Sequence, residues 1–144
     1  AQDWMPQEYD IISTALISEN YAYIGGRSEE LDAYIVKAYD MEGNHLLTFG
    51  EKGKDGDDWI AYVSQMMEIP EGFFGIDANM RDLYIWGPDA SVLGSVEAPD
   101  LFGARYAWIA GAAKQDDGSI LVALTQDRDD DSATELLLYR LSGF

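Results

Sequence analysis

Oxygen ligands in quantity are the first chemistry this chain offers. Two stretches are dense in aspartate: Asp-Gly-Asp-Asp at 55–58 and Asp-Arg-Asp-Asp-Asp-Ser at 127–132. Ca²⁺ takes about six to eight oxygens, largely carboxylate and carbonyl, and closely spaced Asp in a loop supplies them. The alternating residues Asp127, Asp129 and Asp131 are therefore the candidate Ca²⁺ ligands, and no other cofactor is suggested. Neither run has the spacing of an EF-hand loop, which closes on a bidentate Glu. A solvated acidic loop is the competing role for both, and the commoner one.

Other reactive groups are few. His45 is the single histidine, which excludes a histidine-rich metal centre and leaves any Ser-His-Asp arrangement dependent on this one ring. It falls in an apolar-polar alternation beside a turn, where a histidine usually faces solvent. Cysteine is absent, so there is no disulfide, zinc thiolate or thiol nucleophile. Gly50-Glu-Lys-Gly53-Lys-Asp-Gly56 is rich in glycine but lacks the Gly-Lys-Ser/Thr ending of a phosphate-binding loop. The aromatic residues Trp59, Trp86 and Trp108, with Tyr62 and Tyr106, are the candidate binding surface for a sugar or a peptide. Packing between sheets is their alternative role. No catalytic residue is assigned.

Bulk composition narrows the partners. The chain has 144 residues, 47% of them apolar, enough for one domain with a core. Its net charge of −18 repels phosphate backbones and anionic lipid, so nucleic acid is an improbable ligand. No apolar run reaches the roughly 20 residues of a membrane helix. The start, Ala-Gln-Asp-Trp, carries neither Met nor a signal peptide. It fits a chain matured by cleavage at a small residue, hence a secreted or periplasmic setting, and it fits a shortened chain equally.

The elements that must position these residues are strands. Amphipathic helical periodicity is missing, and short apolar bursts alternate with turn signals. One set reads IISTALIS (11–18), YAYIGG (21–26), AYIVKAY (33–39) and HLLTFG (45–50). A second reads WIAYVSQMMEI (59–69), FFGIDA (73–78), DLYIWG (82–87) and SVLGSV (91–96). A third reads YAWIAGAAK (106–114), SILVALT (119–125) and ELLLYRL (135–141), with no fourth member. The aromatic anchors Tyr39, Trp86 and Tyr139 recur about every 50 residues, the period of a four-stranded propeller blade.

The stretch YIVKAYDMEGNHLLTFGEKG (34–53), an aromatic-Asp turn with Gly and a Phe-Gly exit, resembles the blade ending of the NHL-type, six-bladed β-propeller family. The resemblance spans nearly the whole chain. YIWGPDASVLGSV in the second set keeps the turn and loses the Asp-x-x-Gly, while LLLYRLSGF in the third ends the chain. The resemblance implies an all-β fold of propeller-like blades: a closing strand at 1–10, blade one at 11–53, blade two at 54–98, and blade three at 99–144 without its outer strand. About three blades do not close a ring, so closure falls to a second copy, another subunit or further sequence. A β-sandwich or barrel is the alternative architecture. The resemblance implies no catalytic residues, since such folds host many functions, and the leading expectation is a non-enzymatic binding or scaffold module in a larger protein assembly, by self-association or with a protein partner. The alternative is a Ca²⁺-dependent propeller hydrolase of the lactonase or esterase kind.

Overall fold

The computed structural model describes residues 11–53, 56–57, 59–103, 107–127 and 134–143. Their strands form three antiparallel sheets. The first holds β1 (Ile11–Ile17), β2 (Ala22–Ser28), β3 (Ala33–Tyr39) and β4 (His45–Phe49). The second holds β5 (Val63–Ile69), β6 (Gly72–Asp77), β7 (Asp82–Trp86) and β8 (Val92–Glu97). The third holds β9 (Ala107–Lys114), β10 (Ile120–Asp127) and β11 (Thr134–Leu141). In each sheet the spatial order follows chain order, so every connection is a hairpin. The fold is all-β, and the sheets do not close into a barrel. The expected closing strand at 1–10 lies outside the described residues.

Alternation of side chains builds the layers. Along a strand, successive residues face opposite sides of the sheet. On β6, Phe73 faces the first sheet while Phe74 and Ile76 face the third. On β7, Tyr84 and Trp86 face the first sheet while Leu83 and Ile85 face the third. The second sheet is thus the middle layer, apolar on both sides. One core joins Val36 and Phe49 to Phe73, Tyr84 and Trp86. The other joins Phe74, Ile76 and Leu83 to Ile120, Val122 and Leu124.

The layers also meet along their first strands, with β1 touching β5 and β5 touching β9. Polar bonds stitch these seams. Glu68 on β5 accepts from Ser18 Oγ at 2.9 Å and Asn20 Nδ2 at 3.4 Å, beyond the end of β1. Gln65 on β5 accepts the Ala112 N–H of β9 at 2.9 Å.

Two local features depart from a plain run of strands. Trp59 to Tyr62 read as the start of β5, yet the strand begins at Val63. The Ala61 and Tyr62 N–H groups go instead to the carboxylate of Asp77 at the end of β6. A side chain thus takes donors that a strand would give to its neighbour. The second feature is a short helix, α1 (Ala98–Phe102), between the second and third sheets. Pro99 sits near its start and Gly103, with φ 66°, ends it in the left-handed region. That pairing of proline at the start and glycine past the end is a helix signature, present in the sequence but too short to show a helical period.

Candidate functional site

The segment Trp59–Tyr62 carries the exposed aromatic ring that lines a cleft. Ile60 anchors it as a fully buried plug. The backbone of Gly50 passes so close that a side chain there would come within 2.8 Å of Ile60 Cγ1, and its φ of +77° suits glycine in any case. Asp77 is fully buried and accepts four backbone N–H groups: Ala61 and Tyr62 at one oxygen, Asn79 and Met80 at the other, both of the latter at 2.9 Å. One carboxylate therefore binds the segment to the β6–β7 turn. The Tyr84 hydroxyl donates to the Trp59 carbonyl at 3.0 Å.

Trp59 itself stays 40% exposed. It borders a cavity of about 390 Å³ with Arg27, Asp32, Tyr34 and Ala61. Tyr34 and Tyr62 place their ring centroids 6.2 Å apart. Arg27 and Asp32 pair at 2.6 Å, both well exposed. Such a pair adds little stability in water, but it leaves charged donors and acceptors on the rim. An indole wall with a polar rim suits a small polar ligand with an apolar face.

The three tryptophans do not share one role. Trp86, expected at the binding surface, is fully buried. It stacks on Tyr84 with centroids 5.1 Å apart and meets Phe49 edge-on at 5.2 Å. Its large apolar surface faces the first sheet, where it is part of the core. Trp108 on β9 is 54% exposed, and the Arg81 guanidinium lies 5.6 Å from its ring centroid, a cation–π contact between the second and third sheets.

Of the aspartates expected to bind Ca²⁺, Asp127 ends β10 opposite Thr134, and Asp129 and Asp131 lie outside the described residues. In the 55–58 run only Gly56 and Asp57 are described. Among the described residues, no group of three or more His, Cys, Asp or Glu side chains is placed to hold a metal ion. Several acids serve turns instead. Asp40 accepts from the Glu42 and Asn44 N–H groups at 3.0 and 2.8 Å and from the Asn44 amide at 2.8 Å. Asp89 and Asp117 each accept from the backbone and hydroxyl of a serine two residues on. These bonds, chiefly with Asn44, Ser91 and Ser119 respectively, hold all three carboxyls below their ordinary range.

His45 is exposed on β4. Its Nε2 lies 3.0 Å from both the Leu47 carbonyl oxygen and Thr48 Oγ1, and its ring rests against Tyr39.

A second concavity, of about 380 Å³, opens between the second sheet, α1 and the end of β11. Leu83, Ile85, Val96, Leu101 and Leu141 make it apolar. Beside it the third sheet turns Leu136 and Leu138 outward, 65% and 63% exposed, while Leu137, Tyr139 and Leu141 pack inward. No helix among the described residues is long and apolar enough to cross a membrane. Neither the models of protein families nor the curated proteins contain a match to this chain.

Proposed function

We propose that this chain is a binding or scaffold module of propeller-like blades, acting without catalysis in a larger protein assembly. One observation carries the reading. The second sheet is covered by apolar partners on both faces, whereas the third sheet, built with the same alternation, turns Leu136 and Leu138 to solvent. Trp108 occupies the same row, since it pairs with Thr125 and Thr125 pairs with Leu136. Covering such a row gains about 25 cal/mol for each Å² of apolar surface removed from water. Another sheet face is the natural cover, as at the two internal interfaces, and it comes from a second copy or from a different protein. The NHL-type resemblance of the blade endings supports the same reading.

The test is light scattering on the intact chain and on the double variant Leu136→Glu, Leu138→Glu. The reading expects a mass above the 16.0 kDa of one chain, falling to one chain in the variant. An intact chain that runs as a folded, monodisperse monomer would remove self-association. Capture of a protein partner through this face would then have to be lost in the same variant for the module to stand.

A further inference from the structure

Three carboxyl groups stand in one row across the second sheet. Asp77 on β6 pairs in register with Asp82 on β7, and Asp82 pairs with Glu97 on β8. Side chains directly opposite each other on neighbouring strands are about 5 Å apart at Cβ, and like charges there repel. Asp77 is satisfied by its four N–H donors, but Asp82 is not. Its Oδ1 is buried with no hydrogen-bond partner. Its Oδ2 lies 3.4 Å from the Tyr84 hydroxyl. That hydroxyl has a single proton and a closer acceptor, the Trp59 carbonyl at 3.0 Å. An ionised Asp82 would therefore be desolvated, poorly bonded and flanked by two other carboxylates. The nearby cation, Arg81, directs its guanidinium over Trp108, and its charge opposes the shift of Asp82 less than Glu97 or Asp77 promotes it. Tyr62, from the segment packed above the row, contributes a neutral ring against Tyr34.

The geometry points to Asp82 as a proton-operated clasp on the segment Trp59–Tyr62. With Asp82 protonated, the row carries two charges and Asp77 and Tyr84 keep the segment seated. When the proton leaves, a third charge enters the row directly beneath the groups that hold Trp59, and the wall of the cleft loosens. Burial, and after it the charge of Glu97, raises the Asp82 titration above the usual carboxylate range. The folded chain thus keeps this proton to higher pH than the unfolded chain does. The contribution is fully present below the ordinary carboxylate value and is lost as pH rises through the raised one.

Two measurements on the whole chain decide it. The first is the ¹³C titration of the Asp82 carboxyl in the intact protein and in Glu97→Gln. The second is amide exchange at Ala61 and Tyr62, expressed as protection relative to the unstructured rate, in the intact protein and in Asp82→Asn. Asp82 is expected to titrate above the ordinary carboxylate range, and Glu97→Gln lowers that titration. Protection at Ala61 and Tyr62 is expected to fall as pH rises, by about tenfold for each unit separating the clasped and unclasped titrations. In Asp82→Asn it stays level. An Asp82 titrating at the ordinary value, or not moved by Glu97→Gln, overturns the charged row. Identical protection profiles in the intact chain and Asp82→Asn overturn the clasp.

Discussion

The second sheet buries both of its faces and the third buries one, although their strands are written in the same alphabet. Phe73-Phe74 on β6 and Leu121-Val122 on β10 show the same neighbouring pair of apolar residues pointing to opposite sides. In the second sheet each side chain of the pair meets a core; in the third, Val122 meets one and Leu121 is only part-buried. Apolar patterning along a strand therefore states what a face is able to bury. It does not state whether a neighbour is present to bury it.

The two sheets should differ most at Trp86. Replacing it with Ala empties a large volume between the first two sheets and should cost about 3–5 kcal/mol. Leu138→Ala, on the outward side of β11, should change the stability of the monomeric chain by no more than about 0.5 kcal/mol. Urea unfolding of the two variants side by side gives the contrast directly. Similar losses in both would mean that the third sheet is covered after all.

Glycine replacements sharpen the same contrast. A methyl at Gly75 would press into the Trp86 ring and come within 2.8 Å of Met66 Sδ. Gly75→Ala should therefore cost about 1–3 kcal/mol through overpacking. At Gly111 on β9 the added methyl meets only the Gln65 amide nitrogen at 3.8 Å, an ordinary contact. Gly111→Ala should be nearly neutral by the same unfolding measurement. A costly Gly111 variant together with a silent Gly75 variant would reverse the assignment of tight and loose layers.

The smallest expected effect lies in the turns. Asp40 and Asp117, which serve the first and third sheets, and Asp89, which serves the second, all titrate below the ordinary carboxylate range. Their stabilising bonds are present above that range and lost as pH falls through the lowered values. Asp40→Asn should therefore lower the melting temperature slightly at neutral pH and flatten the decline in acid. Melting curves between about pH 2 and about pH 6 test this. An unchanged acid decline would mean that the Asn44 and Glu42 bonds contribute nothing in water.

Much of this was legible in the sequence because strands and hairpin turns are local. Ala33–Tyr39 emerged with the expected bounds, and the other strands shifted by a residue or two, except β5, which starts four residues later than expected. The failures came where a distant side chain intervened. Nothing near Trp59 announces that Asp77 will take the Ala61 and Tyr62 N–H groups, so Trp59–Tyr62 read as strand. The Asp77–Asp82–Glu97 row was hidden for the same reason, since register across three strands brings together residues up to 20 positions apart. The aspartate runs drew attention by density, yet described acids with clear tasks, among them Asp40, Glu68, Asp77, Asp89 and Asp117, lie outside those runs. Trp86 was ambiguous because an aromatic residue at a strand end serves a core or a surface with the same local pattern.

The strict agreement between strand order and chain order bears on how the molecule is made. Among the described residues each strand pairs only with strands next to it in the chain, so none of these pairings waits for a remote part of the chain to arrive. Contacts of short sequence range favour fast folding even in β proteins. During synthesis the first sheet can zip as soon as His45–Phe49 has emerged, but its core face stays wet until Phe73, Tyr84 and Trp86 follow. The second sheet in turn waits for β10. The growing chain therefore always carries one apolar face at its newest layer, and the interval before the next layer arrives is when it is most exposed to aggregation.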